Sequence, residues 1–158
     1  MRPNFIEIQD LYEKEDGKFY SFENHQIFNG ILIKTINDYR DTILYIEYKN
    51  GKAEGQEIRY YQQTKLQVKA FYHEGLYENE YVGYYENGNL KESGQYKTGN
   101  EVGLWKTYFS SGKLFMIGKY NDGNKIGKWS IYNPDGTFNK IECYDKNCKL
   151  QLVKDCLE

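Results

Sequence analysis

The chain has 158 residues, with 21 basic and 23 acidic side chains and a formal net charge of -2. That is one-domain length, and the absence of a basic surplus argues against direct nucleic-acid binding. No run approaches the 18 consecutive apolar residues of a membrane-spanning helix, while 17 Tyr and 15 Gly against two Pro favour strands and tight turns.

In chain order, the opening stretch "MRPNFIEIQDLYEKEDG" lacks an apolar leader core, so no secretory signal is expected. Residues 10–22, "DLYEKEDGKFYSF", read as a hairpin around "EDG". "FNGILIKTI" and "TILYIEY" read as two further strands joined by "NDYRD" at 37–41. We read 5–47 as degenerate or inserted units of the same sheet that follows.

From Tyr48 a period of 24 residues takes over, with Tyr48, Tyr72, Tyr96, Tyr120 and Tyr144 in phase. A period in the 20–50 range is the mark of a repeat architecture. Three residues after each Tyr come Gly51, Gly75, Gly99 and Gly123; seven after come Gly55, Asn79, Gly103 and Gly127. Nine after stand Glu57, Tyr81, Trp105 and Trp129, and twelve after stand Tyr60, Tyr84, Tyr108 and Tyr132. Sixteen after come Thr64, Gly88, Gly112 and Gly136; eighteen after come Leu66, Leu90, Leu114 and Phe138.

Residues 48–143 thus hold four regular units within a single domain spanning 1–158. Each unit reads as two short strands with Asn-Gly, Ser-Gly or Asp-Gly turns, giving one hairpin per unit and an all-β antiparallel meander. The columns at offsets nine and eighteen are the expected core, so Trp105 and Trp129 should be rungs of an aromatic ladder. Residues 144–158 begin a fifth unit without the turn glycine and read as the terminal cap, because repeat ends need covering.

Catalytic and metal chemistry find little support. His25 and His73 are the two His; His73 stands at a turn position and reads as exposed, and His25 has no nucleophile to pair with. Cys143, Cys148 and Cys156 follow a C-x4-C-x7-C spacing unlike zinc pairings and read as reduced thiols of a cytoplasmic chain. The glycines recur at turns without a following helix, so no phosphate loop is expected. No cofactor and no catalytic residue are expected.

The segments "GLWKTYFSSGKL" and "GKWSIYNPDGTF", each behind a Tyr-x-x-Gly lead-in, resemble the MORN-repeat variant. "YVGYYENGNLKESGQY" fits with Tyr81 for Trp and Asn79 for Gly; "GQEIRYYQQTKLQVKAFY" fits more loosely, with Glu57 for Trp and Thr64 for the turn Gly. The resemblance covers roughly two thirds of the chain. It implies an elongated, twisted antiparallel sheet of hairpins. It also implies a non-catalytic, protein-binding role, most concretely an antitoxin or immunity protein that neutralises a toxin. The alternative is a structural or membrane-associated scaffold, which the near-neutral charge does not favour.

The candidate interface lies where the pattern breaks. Unit 72–95 is rich in Tyr and Glu, and Tyr77, Glu78, Glu80, Tyr85 and Glu86 are the candidate contact residues for a basic protein partner.

Overall fold

A computed structural model describes residues 5–36, 41–61, 65–144 and 150–151. The described residues are almost entirely strand and turn, as the composition requires. They fall into two compact units, 1–77 and 78–158.

The first unit holds β1 (Phe5–Glu7), a short 3-10 turn, β2 (Leu11–Glu13), β3 (Phe19–Ser21), β4 (Gly30–Ile36), β5 (Asp41–Lys49), β6 (Lys52–Tyr60), β7 (Leu66–His73) and β8 (Leu76–Tyr77). Its main sheet runs β1-β4-β5-β6-β7, with β8 paired to β7. The hairpin expected at 10–22 forms, but β2 and β3 make a two-stranded sheet of their own. The reason is apolar: Leu11 and Phe28 are buried with Leu32, Ile46 and Ala53 of the main sheet, and Phe19 packs against that group. Burying those side chains outweighs extending the sheet. The main sheet is also not purely antiparallel, because β1 pairs with β4 in parallel, Ile6 opposite Leu32.

The second unit holds β9 (Asn79–Tyr84), β10 (Leu90–Lys97), β11 (Asn100–Tyr108), β12 (Leu114–Asn121), β13 (Asn124–Tyr132), β14 (Phe138–Tyr144) and β15 (Leu150–Gln151). Each pairs antiparallel with the next, a run of consecutive hairpins. Of the cap expected at 144–158, only Tyr144, Leu150 and Gln151 are among the described residues. Thr64 and the 37–40 part of the "NDYRD" connection also lie outside them.

Two kinds of turn alternate. One is a two-residue turn with both central residues left-handed: Asn50–Gly51, Glu74–Gly75, Thr98–Gly99 and Asp122–Gly123, with φ from 51° to 84°. This is the type I′ geometry whose twist matches the strands, and it explains the glycine at offset three. The other is a four-residue turn closed onto a left-handed glycine, as where the Gly88 N–H donates to the Tyr85 carbonyl at 2.8 Å and the Tyr85 N–H to the Asn89 carbonyl at 2.8 Å.

Successive turns are tied together. The Gly51 N–H donates to the Phe28 carbonyl, Gly75 to Ala53 and Gly123 to Glu101, at 2.8, 2.9 and 3.1 Å. Side chains from the preceding turn reach the next: the Glu54 carboxylate accepts from the Glu74 N–H at 2.8 Å, and Glu78 accepts from the Thr98 N–H at 2.6 Å. Thr98 is β-branched and sits at φ 51°, a costly conformation that this bond helps to hold. Removing it by Glu78→Ala should cost about 0.5–1.5 kcal/mol, measured in urea melts.

Candidate functional site

The second unit shows what a regular rung is. Trp105 is 5% exposed and Trp129 1%. Each ring meets tyrosines edge-on: Trp105 against Tyr96 and Tyr120 at 5.2 and 6.0 Å, Trp129 against Tyr120 and Tyr144 at 4.9 and 6.5 Å. The rings are accommodated by glycine in the preceding strand. A Cβ added at Gly94 would fall less than 3.0 Å from Trp105 ring atoms, and one at Gly118 less than 3.0 Å from those of Trp129. Offset five completes the rung. Its residue stands directly across the hairpin from the repeat Tyr: Glu101 opposite Tyr96 and Lys125 opposite Tyr120. The Tyr96 hydroxyl donates to Glu101 at 3.3 Å, and the Lys125 ammonium lies 4.4 Å from the Trp129 ring centre.

The first unit breaks the rung between Tyr48 and Tyr72 at two positions. Glu57 replaces Trp, and Ala53, opposite Tyr48, replaces the long offset-five side chain. The small Ala53 leaves bulk out beside Tyr48. A cleft of about 320 Å³ lies there. Tyr48 and Tyr72 line it, with buried Ile46 and Ala53 and with Glu13 and Glu74, both exposed, which lend it negative charge. Lys52 also lines it but is engaged by Glu74 at 3.1 Å.

Glu57 itself is 0% exposed and is satisfied within the unit. One carboxylate oxygen pairs with Arg59, and the other accepts from the Tyr77 hydroxyl at 2.8 Å. Tyr77 stacks on Tyr72, ring centres 4.5 Å apart. A buried carboxylate needs such partners, since desolvation otherwise disfavours its charge.

Burial, then the charges of Glu13 and Glu57, hold the Tyr48 hydroxyl above its ordinary range. Burial pushes Tyr72 up to about 12 from 10.0, with Glu57 adding to the rise and Arg59 opposing it. Tyr77 and Tyr96 are raised as well, chiefly by burial. The unfolded chain therefore releases tyrosine protons that the folded chain keeps. Stability should fall as pH rises from 10 to about 12, seen as a declining urea midpoint along that range.

The predicted contact residues are placed differently from one another. Tyr77 belongs to the first unit and is half-buried in the Glu57 network, so it is structural there. Glu78 and Glu80 flank the start of β9, whereas Tyr85 and Glu86 lie past its far end. Eight residues of extended chain put Glu78 and Glu86 about 25 Å apart. Glu78 caps the Thr98 turn, and the Tyr85 hydroxyl donates to the Tyr108 carbonyl at 2.7 Å. Glu80 and Glu86 are exposed.

Several expectations need correcting. The offset-eighteen column is not core: Leu90 and Leu114 are half-buried and Phe138 is 56% exposed, because the shift of register beside each four-residue turn puts this residue at the hairpin end. Asn79, which broke the glycine pattern, adopts φ 65° and so does the glycine's conformational work. His73 is exposed at its turn, as expected, with Nδ1 3.0 Å from Glu54. His25 lies 3.2 Å from the Tyr12 hydroxyl. Cys143 is not a free thiol: it is disulfide-bonded, and Cys148 and Cys156 lie outside the described residues.

Sequence reasoning registered Glu57 but missed Ala53. Its signal was available as the offset-five column Ala53, Tyr77, Glu101, Lys125, in which Ala alone is small. No protein-family model matches the chain, and no curated protein matches it. Among the described residues no helix is long and apolar enough to cross a membrane.

Proposed function

We propose that this protein is a non-catalytic binding module for a basic protein partner. The observation that carries this reading is the cleft in the first unit, where a missing rung leaves an aromatic-sided space lined by Glu13 and Glu74. Tyrosine walls give contact area at small entropic cost, and carboxylates steer a cationic partner. Within the second unit Glu80 and Glu86 are exposed. The resemblance to MORN-repeat variant proteins supports an antitoxin or immunity role, in which the partner is a toxin that this chain neutralises.

The compartment of that encounter is bound up with Cys143. Disulfides persist in oxidising surroundings, so the cytoplasmic location expected from reduced thiols loses that support.

Affinity capture from the source cells tests the proposal. A single basic protein should be retained, and Glu13→Lys with Glu74→Lys should weaken its retention about tenfold or more with an unchanged melting temperature. Glu80→Lys should have a smaller effect. A second reading, a membrane-associated scaffold, draws on the exposed Ile8, Phe22 and Ile27 of the first unit. Sedimentation with anionic vesicles and no retained protein would replace the first reading with the second.

A further inference from the structure

The gap between Tyr48 and Tyr72 has a definite chemistry, which deepens the binding reading and rests on it for the nature of the guest. In the second unit a Trp stands between consecutive repeat tyrosines, with a long offset-five side chain beside it. In the first unit Glu57 takes the Trp position and the small Ala53 takes the offset-five position opposite Tyr48. A guest would meet the rings of Tyr48, Tyr72 and Phe19 and an apolar floor of Ile46 and Ala53; Phe19 already lies edge-on to Tyr48, and Tyr72 has one face stacked on Tyr77. The charges narrow the choice. Glu13 and Glu74 line the cleft, and both are exposed. Lys52 is the one cation of the lining and is paired with Glu74.

A flat apolar guest would leave the carboxylates unused, and a lysine ammonium would leave the ring faces poorly covered. The guanidinium group is planar, stacks on aromatic faces, is weakly hydrated and binds carboxylates through paired donors. We propose that the Tyr48–Tyr72 cleft is a receptor for an arginine side chain presented by the protein partner, which takes the place of the missing rung. Its methylene stem lies over Ile46 and Ala53, and its donors reach Glu13 and Glu74. At the equivalent position of the last regular rung, Lys125 already places a cation over Trp129 and within 5.4 Å of the Tyr144 ring centre.

The test uses the whole chain and Nα-acetyl-arginine amide, followed by amide chemical shifts. Shifts should be confined to Gly51, Lys52, Ala53, Gly75 and their neighbours, and saturate in the millimolar range. The neutral isostere Nα-acetyl-citrulline amide should bind about tenfold more weakly. Ala53→Tyr, which restores a long side chain opposite Tyr48, should abolish the shifts. Glu13→Gln with Glu74→Gln changes exposed groups and should weaken binding about tenfold while leaving the fold intact, so the test survives if Ala53→Tyr does not fold. Equal binding of the arginine and citrulline probes, or shifts elsewhere, would overturn the proposal. Capture separates the two readings. If wild type and Ala53→Tyr retain the same partner equally, the arginine receptor is wrong and the binding module stands. If neither retains a partner while the arginine probe binds in the cleft, the partner reading is wrong and the receptor stands.

Discussion

Trp129→Ala is expected to destabilise the protein by about 3–5 kcal/mol, the range for removing a large aromatic from a packed interior. The ring is 1% exposed and stands between Tyr120 and Tyr144 over Gly118, with the Lys125 ammonium 4.4 Å from its centre. Removing it strips two edge-to-face contacts and a cation–π contact and leaves a hole that tyrosines held in hydrogen-bonded strands cannot close. The indole N–H makes no hydrogen bond, so the loss is one of packing and not of a hydrogen bond. Trp105 donates its indole N–H to the Gln95 carbonyl at 3.2 Å, so Trp105→Ala removes a hydrogen bond as well. Urea unfolding measures both. A loss under about 1 kcal/mol at Trp129 would mean that the ring is not a packed rung.

The second large effect comes from the other side of the same contact. Gly118→Ala adds one methyl where Trp129 ring atoms already lie within 3.0 Å of the new Cβ. Gly118 does not have a left-handed backbone, so strain in φ is not the cause; overlap with the ring is. Displacing the indole should cost about 1–3 kcal/mol, as overpacking does elsewhere. The double variant Gly118→Ala, Trp129→Ala should cost clearly less than the sum of the singles, because the methyl then enters the space the ring vacated. Strict additivity in the double-mutant cycle would refute the contact. Gly94→Ala against Trp105 should behave in the same way.

Much of this fold was legible because backbone demands and side-chain columns repeat at one period. The offset-three glycines announce turns, and the recurrence of Trp105 and Trp129 in the offset-nine column marks them as core. What escaped the sequence depended on register. Tyr48 faces Ala53 across a hairpin although the two are five residues apart, an odd interval along the chain, so the cleft emerges only when the strands are paired. The offset-eighteen column misled for the same reason, since the register shift at each four-residue turn puts Phe138 at an end rather than inside. The parallel pairing of β1 and the separate β2–β3 sheet escaped because no local signal states which apolar face a short strand will cover. Tyr77 stands in the offset-five column and serves Glu57, a partner 20 residues away that no local pattern announces.

The bonds between successive turns carry a consequence of another order. A glycine N–H reaches a carbonyl one turn back, and the same donor and acceptor positions recur two periods later, as at Gly75 with Ala53 and Gly123 with Glu101. Each module therefore offers its successor the socket that its predecessor offered it. Duplication or excision of one whole period, such as 96–119, creates no new kind of junction, whereas a change of half a period mismatches every socket downstream. The length of such a chain is free to vary in whole steps.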